Sequence, residues 1–218
     1  MSFVIFCVTL FLAKVVFRIK KNIGTLTKDQ ILSATEITLR RFGVAKTSLT
    51  DIAKYLNVSH GTIYRHYKNK AELLEKVTEK WLDEKIIAPL TTIYKNESLN
   101  GSEALNVYIK KLINLKRSYA QHDKELFDMY TKVTKESSHL IDLHVNRMTS
   151  QMSEIVKRSD LKVSDPDQLA KSIFYATVRF HHPAHAYEWD DPSIDQEFLE
   201  LWIILEKGFL TNKSRRKQ

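Results

Sequence analysis

The chain has 218 residues, 43% of them hydrophobic and 28% charged, with only 5 Gly and 4 Pro, which excludes a disordered or low-complexity chain and argues against a turn-rich all-β fold. Its single cysteine, Cys7, excludes an intrachain disulfide and any multi-cysteine metal site. The formal charge of +8 is segregated: residues 1–70 carry 12 Lys or Arg against 3 acids, whereas the remainder carries 22 against 23.

A basic end joined to a neutral remainder fits either a solvated face or a module that binds nucleic acid. MSFVIFCVTLFLA opens the chain without a charge, but the run stops at Lys14. It is short of the roughly 20 residues a bilayer span needs, and it lacks the basic start and small-residue cleavage site of a signal peptide. The preferred expectation is a start codon called too early, with translation beginning nearer Val15 or Val16 and a basic arm from Arg18 to Lys21. A membrane tether over residues 3–19 is the competing reading. Its flanking charges would still leave the rest of the chain in the cytoplasm, the expected location.

From Thr27 onward the sequence predicts capped helices. Thr27 and Gln30 have capping-box spacing, and Ile31, Ala34, Ile37 and Phe42 follow at helical intervals to Gly43, predicting a first helix over about 28–42. Ser48 opens a short helix ending at Asn57, Ser59 opens another over 60–67, and Asn69 starts a longer one expected to stop near Pro89. Further helices are predicted over roughly 102–120, 123–134, 137–159, 166–181 and 193–211, the 166 start marked by Asp165-Pro166. No stretch alternates at the period of two that a sheet requires.

The two short helices have the makings of a helix-turn-helix, which lays its second helix in the DNA major groove. Ala53 permits a close crossing, Asn57 tolerates the left-handed turn, and Ile52, Leu56, Val58, Ile63 and Tyr67 supply an inner face. The outer face then shows His60, Gly61, Thr62, Tyr64, Arg65 and His66, a set suited to base edges and phosphates, and the capping Ser59 is counted with Arg65 among the candidate DNA-binding residues.

TSLTDIAKYLNVSHGTIYRHYKNKAELL, with its V-S-x-G-T-I-Y-x-H-Y and K-x-E-L-L patterns, resembles the N-terminal DNA-binding domain of the TetR family of bacterial regulators. The resemblance implies an all-α homodimer whose three N-terminal helices bind a palindromic double-stranded DNA operator. It also implies a larger helical domain that binds a small-molecule effector and dimerises through its last two helices. By position it places DNA contacts on Ser48, Thr50, His60, Gly61, Thr62, Tyr64, His66 and Lys70, with His60 at a base and Lys70 at phosphate. Asn57 departs from the family's usual turn glycine.

The expected domains are therefore an extension over 1–24, a DNA-binding domain over 25–72, a ligand-binding and dimerisation domain over 73–211, and a basic tail over 212–218. In the larger domain Tyr108, Tyr119, Phe127, Tyr130, Tyr175 and His181 are candidates to line an effector cavity. Phe174, Val178, Phe198, Leu201, Trp202, Leu205 and Phe209 form apolar stripes expected at a dimer interface. His181 and His185 have the i, i+4 spacing of a zinc pair, but Pro183 breaks the helix between them. No metal or cofactor is expected. A metal-dependent or small-molecule-processing helical enzyme is the alternative, and it would need acid, base and ligand groups converging on one pocket, where the sequence offers only scattered histidines.

Overall fold

The computed structural model describes residues 26–210, and among them there is no strand. Three helices form the N-terminal unit: α1 (Lys28–Lys46), α2 (Leu49–Leu56) and α3 (His60–Tyr64). Each start is built by a side chain that satisfies a backbone donor left over by the helix. Thr27 accepts from Gln30 N while Thr27 N donates to Gln30 Oε1, Ser48 and Asp51 repeat the arrangement, and Ser59 accepts from Thr62 N. Asn57 sits at φ 54°, ψ 45°, so the turn between α2 and α3 takes the left-handed conformation expected of it. Ile52, Ala53, Ile63 and Tyr67 are buried beneath the pair.

The first helix is longer than expected. Gly43, at φ 74°, does not terminate α1 but breaks it, and one more helical turn follows to Lys46. The positive φ is what calls for glycine there, and the Glu125 carboxylate stands close enough, 2.9 Å from where a Cβ would be, that it would have to swing aside for any other residue.

The next helix also outruns its expected end. α4 (Lys70–Leu82) passes through a π-helical turn, Asp83–Ile87, straight into α5 (Ala88–Tyr94). Proline cannot donate to the carbonyl four residues back and its ring crowds that carbonyl. The wider π turn lies immediately before Pro89, with Ala88 N reaching Asp83 O, and absorbs the misfit without ending the helix.

α6 (Gly101–His122), α7 (Lys124–Glu136), α8 (Ser138–Lys157), α9 (Pro166–Ala176) and α10 (Ile194–Leu210) complete the fold. The expected 166–181 helix stops at Ala176 and gives way to two short 3₁₀ segments, Val178–Phe180 and Pro183–Glu188. Trp81 is buried at the centre of the helical domain, its ring 5.1 Å from that of Tyr119 and 5.3 Å from that of Tyr130. The N-terminal unit is tied to this domain at α7: Arg40 forks onto Asp123 at 3.1 and 2.9 Å. No helix among the described residues is long and apolar enough to cross a membrane. The apolar N-terminal run, the basic arm, Cys7 and the basic tail lie outside the described residues.

Candidate functional site

The outer face of α3 is where the sequence placed it. His60, Gly61, Tyr64 and Arg65 are exposed, as are Ser59 and Thr50, while Ser48, Thr62, His66 and Lys70 are half-buried. The His60 ring meets the Tyr64 ring edge-on at 4.5 Å, one helical turn apart. Several of these groups already have internal work. The Ser59 and Thr62 hydroxyls lie 2.8 Å apart, and the Ser48 hydroxyl donates to Asp51, holding that carboxyl below its usual range. Lys70 differs most from the expectation of a phosphate contact. Its ammonium donates to the carbonyls of Val44 and Ala45 at the C-terminal end of α1, where a cation also meets the negative end of the helix dipole. Lys70 thus positions α1 against α4, and the exposed cations beside α3 include Lys54, Arg65 and Lys68, with Arg65 reaching Thr62 Oγ1 at 3.5 Å.

In the helical domain a cavity of about 300 Å³ lies between α4, α6, α7, α8 and α9. Of the aromatic candidates, Tyr130, Tyr175 and His181 line it. Tyr108, Tyr119 and Phe127 do not: the Tyr108 hydroxyl donates to Gln151, Tyr119 packs against Trp81, and Phe127 faces a separate, more open hollow beside Trp189. The cavity wall is mostly apolar, with Leu82, Leu112, Ile141, Val145 and Met148, and its rim carries exposed Asp142 and Tyr175.

His181 belongs to this wall and not to a metal pair. Its Nε2 donates to Phe174 O at 3.3 Å, and burial, aided by the nearby Lys116, pushes its pKa down to about 3, so the ring is neutral. His182 is also lowered, chiefly by burial, and its Nδ1 accepts from Ala184 N. His185 contacts Glu188, which Arg179 clamps, so the histidine segment is a braced loop. No three His, Cys, Asp or Glu side chains converge on a metal position among the described residues.

Most of the wall was not singled out from the sequence, and its buried charged group is the residue of most consequence. Lys116 is 2% exposed, lines the cavity, and has burial alone holding its pKa well below the lysine range. The available signal was periodic: Leu105, Tyr108, Ile109, Leu112 and Ile113 mark the buried face of α6, and Lys116 continues it.

The expected dimer stripe divides. Phe174, Phe198, Trp202 and Phe209 are buried within the protomer, and Val178, Leu201 and Leu205 are half-buried. The apolar side chains left exposed on α10 are Leu199, Ile203, Ile204 and Leu210, with Tyr175 on α9. From Leu201 to Leu205 α10 is apolar on every side, so its sequence pattern does not say which side meets its own core.

Comparison with known proteins bears on both halves. Residues 31–77 match the model of bacterial regulatory proteins of the tetR family, and residues 101–202 match the tetracyclin repressor-like C-terminal domain. The HTH-type transcriptional regulator TtgR of Pseudomonas putida is 43% identical over 53 residues, 24% of this chain and 25% of TtgR, so the chain matches only about a quarter of that relative's length. The HTH-type regulator YhgD of Bacillus subtilis is 23% identical over 205 residues, covering 85% of this chain and 97% of YhgD. The solved structure of SmeT, the repressor of the Stenotrophomonas maltophilia multidrug efflux pump SmeDEF, shares the fold with a TM-score of 0.59 at 16% identity, over 86% of this chain and 92% of SmeT. With the two family models together spanning more than half of its length, the chain belongs to the TetR family of bacterial regulatory proteins.

Proposed function

We propose that this protein is a transcriptional regulator that binds a palindromic operator as a homodimer, represses from it, and is released when a small molecule fills the cavity of the helical domain. The observation that carries the reading is the exposed outer face of α3, presenting His60, Gly61, Tyr64 and Arg65 from the basic end of the chain. The start of α3 enters the major groove, where His60 and the open backbone at Gly61 reach base edges. Thr50 and Tyr64 take phosphates on either side, and Lys54, Arg65 and Lys68 supply the non-specific attraction.

The exposed apolar side chains of α10 and Tyr175 support dimerisation, because paired with a second copy they complete a four-helix arrangement of α9 and α10. Release follows from where the cavity sits. Tyr130 and Thr134 on its wall belong to α7, the helix held to α1 through Arg40 and Asp123, and Leu82 belongs to α4, which begins beside the reading head. A ligand that favours a wider separation of α7 from α4 favours a state in which the two heads no longer match a groove spacing of about 34 Å. Nothing in the cavity assembles an acid, a base and a nucleophile, and the reading requires none.

Footprinting of DNA flanking the protein's own gene tests the proposal. Protection of two inverted half-sites one helical turn or a multiple apart is expected. Protection of a single half-site, or none at nanomolar to micromolar protein, refutes it.

A further inference from the structure

Resting on the reading of the cavity as the effector site, we propose that its ligand is an apolar molecule bearing a single carboxylate, which pairs with the ammonium of Lys116. Lys116 is 2% exposed and its Nζ lies 3.7 Å above the centroid of the Tyr130 ring and 5.7 Å from that of Trp81. No carboxylate, carbonyl or hydroxyl of the described chain takes a hydrogen bond from it. Aromatic faces return only part of the hydration an ammonium gives up on burial, so the charged form of Lys116 is disfavoured in the empty wall, and an anion placed beside it would hold the amine protonated and take its hydrogen bond.

The rest of the wall offers no internal answer. Asp142, its one carboxylate, is an exposed rim residue. His144 is enclosed between Leu140 O at 2.9 Å and Asp83 at 3.1 Å, and Asp83 also accepts from Arg147. His181 is turned to Phe174 O and Thr177 Oγ1. The partner that completes Lys116 therefore arrives from outside.

Its chemistry follows from the wall. A single cation with no arginine beside it matches one negative charge, and a phosphate dianion would leave a second charge unanswered among Leu82, Leu112, Val145 and Met148. A cavity of about 300 Å³ equals the liquid volume of roughly ten waters, which suits a molecule of about ten heavy atoms such as a medium-chain or bicyclic aromatic carboxylate. An apolar residue at this position would pack at no electrostatic penalty, and the wall keeps a lysine instead. A buried charge-bearing group that costs stability and lines a cavity is a candidate binding residue.

The test is calorimetric titration of the full chain with octanoate and 1-naphthoate against 1-octanol and 1-naphthalenemethanol. The expected result is at least tenfold tighter binding of each carboxylate than of its alcohol, with the preference lost in Lys116→Met. Equal affinity of acids and alcohols in the native chain, an undiminished preference in Lys116→Met, or binding of neither class each overturns the inference, and the first comparison needs no variant. Operator release by the same compounds separates the two levels. Alcohols that bind and release DNA as well as the acids overturn the carboxylate assignment while leaving the cavity reading intact. Octanoate that binds through Lys116 yet leaves operator affinity unchanged supports the ligand class and overturns the release reading.

Discussion

Gly61 offers a perturbation in which the fold and the DNA surface respond in opposite directions. A Cβ built on Gly61 meets no atom closer than Ser59 Oγ at 3.9 Å, and the residue has no positive φ, so alanine enters without strain. Removing a helical glycine reduces the freedom of the unfolded chain and stabilises by about 0.5–1 kcal/mol, which in a protein of this size raises Tm by about 1–4 °C. If the start of α3 enters the major groove as proposed, the same methyl stands between the backbone and the floor of that groove. Displacing that close approach by about a methyl radius weakens the base contacts of His60 and its neighbours, and a loss of one well-formed contact is worth about 1–3 kcal/mol, tenfold or more in Kd. Thermal unfolding of Gly61→Ala paired with fluorescence anisotropy on the footprinted operator reads both effects. A variant with raised Tm and native operator affinity would show that Gly61 does not face DNA, and a lowered Tm would refute the geometry of α3 itself.

Three further outcomes are expected. Arg65→Ala, which loses an exposed cation, flattens the salt dependence of operator binding by about one unit, whereas Lys70→Ala lowers Tm by a few degrees through the loss of its bonds to Val44 and Ala45 and leaves the salt slope nearly unchanged; a slope change for Lys70 alone would reverse these roles, read by anisotropy across salt. Ile204→Glu, at a side chain 68% exposed, gives a folded monomer in analytical ultracentrifugation, and a persisting dimer would place the interface elsewhere. His181, buried with its pKa lowered to about 3, contributes stability that is present above the unfolded pKa of about 6.5 and is lost as pH falls below it. Between pH 8 and pH 5 that amounts to about 2 kcal/mol, or a fall of about 4–8 °C in Tm, and His181→Phe removes this part of the fall while Thr177 still bonds Phe174 O; equal pH profiles would refute it.

What was legible in the sequence was local. Thr27, Ser48, Ser59, Asn69 and Asp165 each satisfy a backbone donor three residues away, so the helix starts and the order of elements could be read from neighbouring letters. The outer face of α3 was legible for the same reason: a five-residue helix with a cap at Ser59 and a buried Ile63 leaves few ways to orient it. The run through Pro89 was not, because whether a proline ends a helix depends on whether the preceding turn widens, and here that turn carries Ile86 and Ile87 into the core, a tertiary fact that the neighbouring letters do not contain. Tyr108, Tyr119 and Tyr130 have similar surroundings in sequence, and only the helices opposite them decide which faces the cavity. The same limit hid the role of Lys70, whose acceptors lie 25 and 26 residues away in the chain.

On the proposed reading, the buried lysine and the linkage between α1 and α7 place ligand chemistry and DNA release at one wall. Lys116 rests on Tyr130, and Tyr130 is on α7, three residues beyond Phe127 and one turn and a half from Glu125, which closes on Gly43. A carboxylate that draws the ammonium away from the Tyr130 face removes a contact between α6 and α7, so ligand charge acts on the helix that holds α1. A ligand can shift the equilibrium only by its differential affinity for the two arrangements, and an ammonium with no internal acceptor is the group in this cavity whose partner changes most on binding.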